Sequence, residues 1–397
     1  LHFGSHEQNN RKYVYFGFDG GLSIKPGGVD ARGDGIKFYF TVDNGPLHVF
    51  IRIQSIAIDL VIPGDASPEN AALLLSGYLA MKEPTTPGGG TEYAGGITFT
   101  LPKLKMGGSA AMRYNPDVPA FLIDVGIEIP TPIPLGPTGL GIYGFRGLVG
   151  SNYVATRKAA GLDDDAKWYQ YYKAKIAPDY KEGIQPSKFE GKSGFSIGAG
   201  VSLATSADSG KVFSAKVFFL LSLPEVFLVE GQGAVLKERI GLDSTIDPPF
   251  YAFISVTSQS VETALGANFP IPDSGSNKGD IVQVDALIEI AFFFGNSLGW
   301  YVNFGRDLPE EKRIRARILT LFDAYFYLML SSSGIKTGAG VSYKFDKKFG
   351  PLRARLRAYI DVWGELSFKP IQVGGGMRLG GELSLTLFGI GFSISAE

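Results

Sequence analysis

Most of the chain alternates apolar and polar residues at period two, with β-branched and aromatic residues enriched and Gly, Pro, Asn and Asp between the runs. This is the pattern of a strand with two unlike faces. The runs Val49 to Leu60, Phe121 to Ile129 and Asp280 to Phe294 are clear cases. Others, Arg313 to Leu330 and Leu352 to Lys369, continue far beyond the usual ~5–6 residues of a globular strand. The prediction is an all-β fold: long antiparallel strands in a large curved sheet, groove-like or barrel-like. In the last run Leu383, Leu385 and Leu387 are apolar at odd positions, then Phe388, Ile390, Phe392 and Ile394 at even ones. A β-bulge between Leu387 and Phe388 is the predicted cause.

One segment breaks the alternation. Thr156 to Tyr180 places Asp163, Asp164 and Asp165 before Ala166 to Lys173, acidic residues where a helix N-terminus favours them. It is read as one short helical insertion. The Pro/Gly-rich piece Pro130 to Gly139 reads as a rigid extended turn. The predicted organisation is residues 1–12 disordered or linker, 13–154 an N-terminal β region, 155–190 the helical connector and 191–397 a C-terminal β region. Within the last, Ser193 to Ser202 matches Ser333 to Ser342 at seven of ten positions, and Gly210 falls opposite Gly350. The segment 193–210 is therefore expected to be echoed at 333–350 as a structural repeat, with its Gly-x-Gly marking a bend or a close backbone approach.

Composition narrows the function. The 397 residues hold 38 Lys and Arg against 39 Asp and Glu, a net charge of -1, so general nucleic-acid binding is not expected. The absence of cysteine removes disulfides, thiolate nucleophiles and Cys-ligated metals. The three histidines, His2, His6 and His48, leave little for histidine metal sites or triads. Glycine, at 53 residues, is close to twice the usual ~7%. No apolar stretch reaches the ~18 residues of a membrane helix; the strongest, Val217 to Leu223, stops at Pro224 and Glu225. Leu1 to Lys12 are polar, without a basic stretch before an apolar run, so no signal peptide is predicted there. The chain opens at Leu, which leaves upstream sequence and localisation open.

Motifs that could carry chemistry lack their context. Gly139 to Gly144 fits G-x-G-x-x-G, but that turn needs a strand before it and a helix after it. Here a proline-rich turn precedes and a strand pattern follows. Gly194-Phe195-Ser196-Ile197-Gly198 fits the nucleophile elbow, which needs a later general base, and no histidine follows His48. Gly191-Lys192-Ser193 resembles the end of a phosphate loop, but Pro186 stands at its first glycine. Asp273 to Asp280 has spaced oxygen ligands without the closing bidentate acid of a calcium loop. Asp285 with Glu289, or Asp361 with Glu365, could form a glycosidase carboxylate pair; the same spacing serves cross-strand salt bridges. No catalytic residue, cofactor or metal is assigned.

Two features remain. Arg313, Arg315 and Arg317 alternate with apolar residues, as do Arg353, Arg355 and Arg357. Each ladder puts three guanidinium groups on one face, a candidate anion-binding strip or a structural ladder with Asp285 and Glu289. Aromatic density around Phe292, Phe294, Trp300, Tyr325 and Tyr327 makes these residues a candidate apolar groove.

Ser76 to Leu79, Thr91 to Gly96, Gly139 to Asn152, Arg313 to Ile318 and Leu321 to Leu330 together resemble a group of large bacterial β-rich repeat proteins catalogued as a domain of unknown function. The resemblance runs over roughly residues 14 to 395. It implies a bacterial, β-rich protein without a membrane helix and carries over no catalytic residue. The expected function is a non-catalytic scaffold or binding protein, enclosing an apolar groove for lipid, acyl chains or a hydrophobic partner segment, or serving a larger assembly. The alternative is an outer-membrane-type β-barrel. The polar start, the phase change at Leu387, strands apolar on both faces and the Ala396-Glu397 ending speak against it. A carbohydrate-active enzyme using paired carboxylates is the third option.

Overall fold

The computed structural model describes residues 2–8, 11–18, 22–24, 27–41, 47–82, 91–116, 119–163, 166–174, 187–241, 248–271, 282–295, 298–319, 321–388 and 390–396. Strands make up 74% of it, which fixes the class as all-β. The chain divides into two compact units, residues 1–227 with 238–244, and residues 228–237 with 245–397.

Unit 1 contains β1 (His2–Gln8), β2 (Arg11–Phe18), β3 (Leu22–Ile24), β4 (Val29–Thr41), β5 (Val49–Ile62), β6 (Leu73–Lys82), β7 (Glu92–Leu101), β8 (Met106–Asn115), β9 (Ala120–Pro134), β10 (Leu140–Ala155), β11 (Phe189–Thr205) and β12 (Phe213–Leu223). From β3 to β12 each strand pairs antiparallel with the next. β2 joins this meander by pairing with β1 and β4. Residues 2–8, expected to be disordered or linker, thus form a paired strand.

Among the described residues of the helical connector the helix, α1, covers Trp168–Lys173 and starts after the triple aspartate. Gln170 Oε1 accepts from the Lys167 amide at 2.8 Å, and Lys188 Nζ donates to the carbonyls of Tyr171 and Tyr172 at 2.9 and 3.1 Å, so side chains satisfy both ends. Trp168, Tyr171 and Tyr172 are buried. The connector is not a domain boundary. β10 and β11 pair from Leu140–Thr205 to Ala155–Phe189, which keeps β11 and β12 in unit 1 and moves the division past residue 191.

After β13 (Val226–Val235), unit 2 continues with β14 (Phe250–Val256), β15 (Ser260–Ile271), β16 (Val282–Phe293), β17 (Gly299–Phe304), β18 (Ile314–Ile318), β19 (Phe322–Ser331), β20 (Gly334–Phe349), β21 (Leu352–Phe368), β22 (Ile371–Leu387) and β23 (Ile390–Ala396). β14 through β16 and β19 through β23 are antiparallel meanders. β17 and β18 share one position, both pairing with β16 on one side and β19 on the other. Gly305, at φ 68°, opens this break; a Cβ there would stand 2.7 Å from the Ile314 amide.

Two sequence expectations change here. Arg313 to Leu330 is two strands, turned at Leu319 with φ 53°, whereas Leu352–Phe368 is one strand of 17 residues. The phase change after Leu387 is a tight hairpin, with no bulge. Leu387 pairs with Ile390, Leu385 with Phe392 and Leu383 with Ile394, so all six side chains lie on one face.

Along many strands the side-chain distribution is inverted relative to an ordinary core, although Tyr143, Leu220, Val226 and Phe253 are buried. In unit 1 the cross-strand row Met112, Ile123, Val149, Ile197, Leu221 is apolar throughout, and its first four members are exposed. One residue over, the row Leu122, Gly150, Ser196, Ser222 is buried. Ser196 Oγ donates to the Tyr153 carbonyl at 2.7 Å, and Ser222 Oγ accepts from the Ala155 amide at 2.7 Å, so short hydroxyls satisfy the buried backbone. In unit 2 Ser255, Ser260, Glu262, Glu289 and Asn303 are buried while Ile254, Val256, Leu265, Phe292 and Trp300 are exposed. Along β20 to β22 the row Val341, Ile360, Leu379 is exposed and apolar. The neighbouring residues Gly340, Asp361 and Arg378 form the polar face.

Of the two glycine-rich segments, Ser193 to Ser202 lies in the middle of β11 and Gly334 to Ser342 in the first half of β20; Gly210 and Gly350, at φ 87° and 59°, turn the chain beyond them. Their glycines make room for rings, but from opposite neighbours. Gly198 lies under Phe218 of the following strand, and Gly338 under Tyr327 of the preceding one.

Candidate functional site

Register assembles the polar face of unit 2. Asp285 stands opposite Arg315, then come Tyr325, Gly340, Asp361 and Arg378 across successive strands. The adjacent rows run Arg317, Asp323, Ser342, Tyr359 and then Lys344, Arg357, Glu382. Gly340 keeps the first row open, because any Cβ there would strike the Tyr325 ring and the Asp361 carboxylate. The rows enclose a recess of about 470 Å³ whose wall carries the cations Arg313, Arg315, Arg317, Lys344, Arg357 and Arg378. Its acidic wall residues are Glu310, Asp323 and Asp361.

Four of the six predicted arginines therefore meet in one place. Arg313 is anchored: it donates to the Asp307 carbonyl at 3.0 Å and to Asp307 Oδ1 at 3.2 Å, and its guanidinium stacks on the Tyr325 ring at 4.5 Å. Arg317 donates to Asp323 Oδ1 at 2.9 Å, and Lys344 reaches the other oxygen at 3.5 Å. One carboxylate thus serves two cations. Arg315 donates to the Glu310 carbonyl at 2.7 Å, and Arg357 lies over the Tyr359 ring at 5.6 Å. Among the described residues neither forms a salt bridge. Asp361 accepts from the Tyr325 hydroxyl at 3.0 Å.

Arg353 and Arg355 lie outside the recess wall. Arg353 grips both oxygens of Asp346 at 2.8 and 2.6 Å, and Arg355 reaches the same carboxylate at 3.1 Å. The structural ladder expected with Asp285 and Glu289 is half present: Asp285 faces Arg315, but Glu289 is buried against Arg306. The second carboxylate pair is likewise occupied, Asp361 by Tyr325 and Glu365 by Lys336 at 3.1 Å.

The five aromatic residues line no common groove. Phe292 and Trp300 are cross-strand partners on the apolar face, and Phe294 follows just beyond β16, exposed. Tyr325 and Tyr327 belong to the opposite, polar face, where they meet Gly340 and Gly338. The remaining motifs are strand segments: Leu140 to Gly144 lies in β10, and Ser196 is buried in β11. Lys192 pairs with Glu225. The calcium-like loop 273–280 lies outside the described residues. Lys344, Tyr359, Asp361 and Arg378 carry the alternating parity of a polar face in the sequence, but only the register puts them beside Arg315.

The chain matches no protein-family model and no curated protein.

Proposed function

We propose that the chain is a non-catalytic, lipid-embedded β-sheet protein of the outer-membrane-barrel kind, its exposed apolar face covered by acyl chains. The observation that carries this reading is the partial inversion in both units: most large aliphatic and aromatic side chains are outside, while serine, glycine and charged pairs share the inside with a smaller set of tyrosines and aliphatics such as Tyr143, Leu220 and Phe253. Apolar rows exposed across successive strands of each unit are unlike the scattered apolar residues of soluble monomers, and alternation of apolar-out with polar-in is the pattern of membrane strands. Length supports it. On β22 the apolar residues run from Val373 to Leu387, roughly 46 Å at ~3.3 Å per residue. At a tilt of about 45° this covers roughly 33 Å, close to the ~30 Å hydrocarbon core. The phase change at Leu387 no longer opposes the reading, because it is a hairpin that keeps one face apolar.

The test uses the three tryptophans. Trp300 is on the apolar face and 41% exposed, Trp363 is on the polar face and 43% exposed, and Trp168 is buried. Reconstituted into phosphatidylcholine bilayers, a variant retaining only Trp300 is expected to be quenched by lipids brominated on the acyl chain and protected from aqueous acrylamide. A variant retaining only Trp363 is expected to show the reverse. Protein that stays monodisperse without detergent, with Trp300 open to acrylamide in the presence of bilayers, defeats the proposal.

A further inference from the structure

We propose that the recess on the polar face of unit 2 is an anion site for a phosphate group, with Arg315, Arg357 and Lys344 as its principal ligands. It depends on unit 2 alone and does not require the lipid-embedded reading. Six cations stand in its wall against three carboxylates, and those carboxylates are already engaged. Glu310 lies 3.5 Å from Arg313, Asp323 is shared by Arg317 and Lys344, and Asp361 accepts from Tyr325. Asp285 and Glu382 stand opposite Arg315 and Arg357 across the ladders, but among the described residues neither arginine closes a salt bridge; the direct contacts are a carbonyl and a ring face, which orient a guanidinium and leave N–H donors open. In Arg353 and Arg355 the same strand shows the contrasting solution, two arginines closed on Asp346.

The chemistry of the wall favours phosphate. Guanidinium groups present paired N–H donors that match phosphate oxygens in bidentate fashion, and Lys344, 3.5 Å from the Asp323 carboxylate, adds an ammonium. The recess, at about 470 Å³, is of the size of small-molecule sites and admits more than a bare phosphate. The same group could arrive free or on a lipid headgroup, and the two sources are separable.

The experiment measures binding of inorganic phosphate by calorimetry, and of vesicles of phosphatidylcholine with and without phosphatidic acid by flotation, using the full chain. Three proteins are compared: wild type, Arg315→Gln/Arg357→Gln, and Arg353→Gln/Arg355→Gln. Circular dichroism and thermal melting establish that each is folded. The expected result is saturable binding by wild type, weakened about tenfold or more in Arg315→Gln/Arg357→Gln through loss of charge-assisted bonds, and unchanged in the Asp346-anchored variant. Binding of inorganic phosphate identifies a free ligand; a phosphatidic-acid increment lost in Arg315→Gln/Arg357→Gln, without binding of inorganic phosphate, identifies a headgroup. Absence of saturable binding to either probe, or equal loss in both double variants, overturns the site.

Discussion

Ile360 offers the sharpest test of what covers the apolar face. It is the central residue of β21, with Val341 and Leu379 as its cross-strand partners. It is 41% exposed, and its partners are 47% and 62% exposed. If water covers the face, Ile360→Arg is a surface substitution whose long side chain lies down over its apolar neighbours, costing about 1 kcal/mol or less. If acyl chains cover it, the guanidinium stands at the bilayer midplane and the cost is about 2–4 kcal/mol, a roughly 30- to 800-fold shift in the folding equilibrium. The assay is urea unfolding in phosphatidylcholine bilayers, followed by tryptophan fluorescence. Ser393→Arg serves as the reference, because Ser393 is exposed and pairs with Ser384 on the polar face; its expected change is within about 0.5 kcal/mol. Equal stability of the two variants, or of Ile360→Arg and wild type, refutes the assignment of faces.

Three further outcomes are expected. Gly338→Ala sets a methyl 2.5 Å from the Tyr327 ring, and overpacking should destabilise by about 1–3 kcal/mol; in a double-mutant cycle with Tyr327→Ala most of that loss should vanish. Arg306→Met leaves the buried Glu289 carboxylate without its ion-pair partner, so it should cost roughly 2–4 kcal/mol and be partly rescued by adding Glu289→Gln, measured by chemical denaturation. Asp208, in the turn after β11, accepts from Thr205 Oγ1 and from the amides of Gly210 and Val212; the Thr205 hydroxyl, with those amides, holds its carboxyl below the usual range. Its contribution is present above the ordinary aspartate pKa and is lost as pH falls through the depressed folded value, so melting of Asp208→Asn should depend less on pH in that acid window than melting of wild type.

The strands and their faces were legible in the sequence because period two is a local property. Leu352 to Phe368 needs no partner to declare its length. What separates a bulge from a hairpin is not local: a two-residue turn pairs Leu387 with Ile390 and shifts the apolar positions from odd to even, as a bulge would. The same holds for the recess. The parity of Arg315 and Arg357 could be read directly, but not that the carboxylates opposite them, Asp285 and Glu382, stop short of a salt bridge. Asp346 reaches Arg353 and Arg355 only because the turn at Gly350 sets Phe349 against Leu352. Phe292 and Tyr325 were grouped by composition, which carries no record of the face on which a ring stands.

The meander connectivity within each unit also has a mechanical consequence. From β19 to β23 every ladder joins strands adjacent in sequence, so a pull on the C-terminus loads the outermost hydrogen bonds one pair at a time rather than shearing a whole ladder at once. Such an arrangement peels like a zip, in many small extensions at low force.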